Sequence, residues 1–272
     1  MARDAMSDPA IGFVVLHLRR CGTDEVAHAA ALDLLSSPSW GGALRYCSSV
    51  AVPGRTLVRR PGMIPATRLR DEAGAALRNP DVLDLSLGTS RDVGHGYRRV
   101  TWENDTLAGP LAMTYGDRPA DGPSADSWIA DVVTYADAVS ACAGVVAMMA
   151  DRDEITTECS SGSIGRRGGV AHPWPEQAAR MKGRNARHLG TRYMRFPRWG
   201  TLISHDHVAQ LGGVDAIVKA VAPAVVRPLS GGVYFQLTDS VSTAMSAEAI
   251  AKQQIFTDLA APLLPPPVTA RR

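Results

Sequence analysis

The 272 residues contain no C-x-x-C pair, no apolar run of membrane-spanning length and little net charge. Each absence excludes a class of protein. The four cysteines, Cys21, Cys47, Cys142 and Cys159, are scattered along the chain. That scatter removes the spacing a zinc ribbon or a thioredoxin-like redox pair needs. Cys142 lies in an apolar run, where a free thiol behaves as a small hydrophobe. The longest weakly polar stretch, AVSACAGVVAMMA at 138–150, is too short to cross a bilayer. The opening MARDAMSDPA is polar, and the IGFVVLHLRR that follows carries His17 and no small-residue cleavage site. It reads as a buried strand and not as a signal peptide. A cytoplasmic protein with reduced cysteines is therefore expected. The formal net charge is +2, so no global field points to nucleic acid or membrane.

Catalytic motifs are missing as well. The glycine clusters GRRGG (165–169), LGG (211–213) and SGG (230–232) match neither a P-loop nor a dinucleotide fingerprint. Gly162-Ser163-Ile164-Gly165 has the wrong spacing for a nucleophile elbow. The carboxylates of DRDE (151–154) close a long helical pattern, and such clusters are more often a solvated face than an acid/base pair. No catalytic residue, cofactor or metal ligand set is expected, and the chain is read as a binding protein.

What is present is a chain of 45% hydrophobic residues, long enough to bury one sizeable core. Strands are expected at IGFVVLHLRR, within PSWGGALRYCSSVAVPG, and over 82–115, where three neighbouring strands argue an antiparallel meander. Short helices are expected at 22–37 and 65–80. Trp128, Val132, Tyr135, Val139, Cys142, Val146 and Met149 recur at three- and four-residue steps. That spacing predicts a central amphipathic helix over about 127–150. TRYMRFPRWGTLI and GGVYFQLTDS read as strands, and SAEAIAKQQIFTDLAAPLLPPP as a last helix with a proline stop. The expected fold is α+β: mainly antiparallel sheet packed by helices, as one domain over 1–272. The Gly-, Ser- and Pro-rich stretch 160–176 is where two subdomains would divide.

One motif invites a metal. His205 and His207 flank Asp206. On a strand the two imidazoles would share a face, whereas on a helix residues two apart diverge. Ser204 is a good N-cap, Asp206 suits the first turn, and Gly212 closes the far end. The helix is preferred, with both histidines as surface groups, and a metal-dependent hydrolase is the weakest alternative. Charge is unevenly spread. Nine of the 29 basic residues fall between Arg166 and Arg198, where Glu176 is the only acid, leaving 20 basic against 26 acidic residues elsewhere. That segment is either a charged binding surface, as in a nucleic-acid-binding module, or a solvated arginine-rich face paired with carboxylates. The aromatics interleaved with arginines in YMRFPRW lend the first some support.

The C-terminal third carries a resemblance. Trp199 and Thr201 precede a short strand, Ser204 opens a short helix, and Leu211-Gly212-Gly213 closes it. Gly231-Gly232 begins a later strand that ends in Leu237-Thr238-Asp239, and a helix ending APLLPP follows. This pattern resembles the C-terminal signature of bacterial immunity proteins of polymorphic-toxin and type VI secretion systems. The Imm52-type proteins are nearest, and a type VI immunity family known by a domain of unknown function comes next. Pro38 and Trp40 fit the start of the chain more loosely. The resemblance implies an antitoxin that binds a cognate effector, for Imm52-type proteins a restriction-endonuclease-like nuclease of the Tox-REase-5 class, with no catalytic residues of its own and no direct nucleic-acid binding. A nuclease presents a basic face, so Asp151, Asp153, Glu154 and Glu158 are the expected contacts. Arg166 and Arg167 would meet an acidic part of the partner.

Overall fold

The computed structural model describes residues 125–149 and 188–267, the backbone of six strands between 11 and 115, and positions 71, 177, 180, 181 and 185. Ten strands form one sheet: β1 (Ile11–Leu18), β2 (Tyr46–Val52), β3 (Arg55–Leu57), β4 (Asp84–Gly88), β5 (Arg98–Glu103), β6 (Pro110–Tyr115), β7 (Ala141–Met149), β8 (Gly200–Ser204), β9 (Val225–Leu229) and β10 (Gly232–Gln236). Their order across the sheet is β3-β2-β4-β5-β6-β1-β7-β8-β10-β9. Every pairing is antiparallel. The helices α1 (Ala125–Ala138), α2 (His205–Gln210), α3 (Val214–Val221) and α4 (Ala247–Ala260) complete the described elements, with 3-10 turns at Val241–Thr243 and Ala261–Leu263. The fold is α+β, as composition and pattern predict, and β4, β5 and β6 form the expected meander. The stretches 22–37 and 160–176 lie outside the described residues, as does 65–80 apart from Asp71.

One expectation is overturned. The helix predicted over 127–150 ends at Ala138, and the second half of the stretch is β7. Ser140 turns the chain at a φ of 50°, a left-handed conformation that stops a helix. Beyond it, Ala141 to Ala147 are all buried. A strand covered on both faces is apolar at every position, so a helical stripe can be traced through it by coincidence. Val145 and Val146 favour the strand, and Gly144 disfavours the helix.

Register assigns the faces. Gly144, Leu202 and Tyr234 stand in one row across β7, β8 and β10, with Val146, Gly200 and Gln236 in the next. This face meets α1: Val132, Val133 and Ala136 close over Gly144, Val146, Leu202 and Tyr234 around a void of about 10 Å³. The alternate rows, Ala143-Ile203-Val233 and Val145-Thr201-Phe235, lie on the opposite face. There Phe235 meets Phe256 of α4 edge to face, with centroids 5.8 Å apart, a pairing worth about 1 kcal/mol beyond its buried area.

Two further elements depart from the sequence pattern. Of the strand read from TRYMRFPRWGTLI, only its last four residues, 200–203, lie in β8; Pro197 cannot donate to a ladder. Conversely, β9 contains Pro228, a residue that argues against a strand but is tolerated at the sheet edge that β9 occupies.

Candidate functional site

The signature of the C-terminal third assembles at the junction of β8, β10 and α1. Ser204 ends β8 in extended geometry and caps α2, its hydroxyl accepting from the His207 amide at 3.3 Å. Gly212 and Gly213 follow at φ 90° and 93°, conformations a Cβ disfavours. The helix expected at SHDH is therefore present, and residues two apart diverge on it. His205 is exposed at the start of α2, with Nε2 3.1 Å from the Leu229 carbonyl oxygen. A carbonyl only accepts, so the proton belongs on Nε2. His207 is fully buried, which corrects the expectation of two surface histidines: the third residue of this short helix turns inward together with Val208, while His205 and Asp206 stay exposed. Among the described residues no group of three or more His, Cys, Asp and Glu could hold a metal.

Trp199 and Thr238 are the centre of the polar wiring. The Trp199 indole Nε1 donates to Thr238 Oγ1 at 2.7 Å. The Thr238 and Thr243 hydroxyls lie 2.8 Å apart, and Thr243 Oγ1 donates to the Ser240 carbonyl at 2.7 Å. Gln236 donates through Nε2 to the Thr238 carbonyl at 2.9 Å and accepts from the Tyr234 hydroxyl at 3.2 Å. Burial in this apolar layer pushes the Tyr234 phenol well above its ordinary pKa. The Tyr135 phenol on α1 is raised further for the same reason, and its hydroxyl has no hydrogen-bond partner.

The Gly-Gly start of β10 has a steric cause. A Cβ on Gly231 would sit 2.1 Å from the Ala141 carbonyl oxygen, and one on Gly232 would sit 2.0 Å from that of Ile203. The turn thus presses backbone against backbone. Ser230 fastens it to the end of α1: its amide donates to Asp137 Oδ1 and its hydroxyl to the Asp137 carbonyl, each at 2.6 Å. At the start of α1, Asp126 accepts from Ser240 Oγ at 3.0 Å and from the Val241 amide at 2.9 Å. The two ends of α1 therefore clamp two segments more than 90 residues downstream. The signature residues are occupied with holding the fold, and Asp126 and Asp137 are the structural partners that the sequence does not mark. An aspartate within a helical stripe carries no mark of a distant backbone partner.

The basic segment also divides. Arg198 is 1% exposed and Arg195 6% exposed. Arg198 Nη1 donates to Gln177 Oε1 at 2.9 Å and to the Pro197 carbonyl at 3.1 Å. Arg180 Nε donates to the Pro265 carbonyl at 2.6 Å, with its guanidinium 4.9 Å above the Phe196 ring. Arg192 is exposed and lies over Tyr193 at 5.1 Å. Arg195 and Arg198 are thus withdrawn from the surface. Lys182, Arg184, Arg187 and all six expected partner contacts, Asp151, Asp153, Glu154, Glu158, Arg166 and Arg167, lie outside the described residues.

No family model matches the chain, and no curated protein matches it. Among solved structures it is similar to the Pseudomonas aeruginosa T6SS protein PA0821. The TM-score is 0.57 at 10% sequence identity, over 97% of this chain and 77% of that one. At that identity the likeness shows a shared fold. No helix among the described residues is long and apolar enough to cross a membrane.

Proposed function

We propose that this chain is an immunity protein of a type VI secretion system, which binds a cognate toxin and neutralises it without catalysis of its own. The observation that carries the reading is the fold shared with a T6SS protein over 97% of the chain. The use of the signature residues supports it. Trp199, Ser204, Gly231, Gly232 and Thr238 serve caps, close backbone approaches and buried hydrogen bonds, which is what a rigid binding scaffold requires.

The toxin is proposed to be a nuclease of the restriction-endonuclease-like class. Neutralisation then follows from occlusion of its active site or from disruption of its functional assembly. Asp151, Asp153, Glu154 and Glu158 would offer carboxylates to a basic DNA-binding face, and steer association at low salt. The protein works where the toxin would act, in the cytoplasm. Co-expression with the protein encoded by the adjacent reading frame tests this. Restored growth and a complex on gel filtration are expected, and continued killing with no complex refutes the reading.

A further inference from the structure

A run of three prolines, Pro265, Pro266 and Pro267, follows α4 and its closing 3-10 turn. Proline keeps its carbonyl and loses its N–H, and a run of prolines makes no hydrogen bonds of its own. Those carbonyls can accept from elsewhere in the fold. Leu264 leads into the run in extended geometry, at φ −76° and ψ 151°. Arg180 Nε donates to the Pro265 carbonyl at 2.6 Å, and Asn185 Nδ2 donates to that of Pro266 at 3.4 Å. Just upstream, the Met194 amide donates to the Leu263 carbonyl at 2.9 Å. Leu264 and Pro265 are buried, whereas Pro266 is exposed.

The groups that hold this run are tied to one another. Asn185 Nδ2 also donates to the Arg180 carbonyl at 2.7 Å, and the Met181 amide donates to the Gln177 carbonyl at 3.2 Å. The Arg180 guanidinium lies over Phe196 at 4.9 Å, and Gln177 accepts from Arg198 Nη1. Met181, Met194, Phe196 and Leu264 belong to the same hydrophobic core. None of these residues lies in a strand. By contrast, β8 and β10 are each paired on both sides. A group held by a few side-chain hydrogen bonds opens at lower free energy than a sheet paired on both sides.

We infer that residues 263–266 form a strap that opens as one unit with Gln177, Arg180, Met181 and Asn185 while the sheet stays folded. Closed, the strap seals Met194 and Phe196, which are 0% and 2% exposed. Open, it presents these side chains to solvent together with the Arg180 guanidinium. The strap thus decides whether a basic and aromatic surface is available. The inference does not depend on the antitoxin reading.

Native-state amide exchange of the full chain, followed by NMR at urea concentrations below the unfolding transition, tests it. The Met181 and Met194 amides are expected to follow one exchange isotherm, with a urea slope smaller than that of the β10 amides. Arg180→Met keeps the apolar stem but removes the Nε donor and the cation over Phe196. It should speed exchange at both amides by about tenfold. Gly200→Ala, which crowds Tyr234 and Val146 within the sheet, should speed the β10 amides and leave Met181 and Met194 at their wild-type rates. That contrast separates a strap from a general loss of stability. Should Arg180→Met fail to fold, the wild-type isotherms and Gly200→Ala decide. Met181 and Met194 merging with β10, separating from each other, or keeping their rates in Arg180→Met overturns the strap.

Discussion

Gly200 opens β8 where Tyr234 crosses the sheet, and replacing it with alanine probes how tightly that crossing is packed. A Cβ there would lie 2.6 Å from the Tyr234 hydroxyl oxygen, 2.9 Å from Val146 Cβ and 3.1 Å from Tyr234 Cε2. Neither neighbour is free to leave. Tyr234 is 4% exposed and its hydroxyl donates to Gln236, while Val146 belongs to the central strand β7. Overpacking of this kind costs about 2–3 kcal/mol. The loss of unfolded-chain freedom from glycine to alanine returns roughly 0.5–1 kcal/mol. Gly200→Ala should therefore destabilise by about 1–2 kcal/mol, read as a lowered urea midpoint with an unchanged slope. Tyr234→Phe deletes the nearest clashing atom, so the double variant should be more stable than the sum of the single effects by about 1 kcal/mol. A neutral Gly200→Ala, or strict additivity with Tyr234→Phe, would refute this packing.

Two further outcomes follow from the same interior. Asp126→Ala removes the acceptor for Ser240 Oγ and the Val241 amide and should cost about 1 kcal/mol, with most of it restored in Asp126→Asn; equal melting of all three chains would contradict the clamp. Burial raises Tyr135 and Tyr234 above the ordinary phenol value of 10.0, so the folded state keeps protons that the unfolded state releases. Their contribution is complete below about pH 10 and is lost above it, at roughly 1.4 kcal/mol per pH unit for each tyrosine. Urea titrations at rising pH should show this loss, and the Tyr135→Phe, Tyr234→Phe double variant should flatten it; an identical pH dependence in the variant would remove these phenols as the cause.

Much of the fold can be read from local chemistry. The cap at Ser204, the closing Gly212, the meander of β4 to β6 and the helix ending near the APLLPP stop all arise from neighbours within a few residues. The errors occur where the decisive partner is distant. β7 was hidden because burial on both faces erases the alternation that marks a strand. His207 and Arg198 look like surface groups in the chain, and their burial depends on the sheet and on Gln177. β9 was hidden by Pro228, harmless only because no strand lies beyond it. Of the candidate site, the helical nature of SHDH was legible and the partner surface was not. A surface is defined by which faces remain uncovered, and local patterning carries no record of that.

Recognition of a toxin is the central claim, and one measurement reaches it directly. Titrating this chain into the silenced protein of the adjacent reading frame, with growth on co-expression scored beside it, reads both binding and protection. A saturable complex together with restored growth is the expected result. No heat of binding and undiminished killing would contradict it.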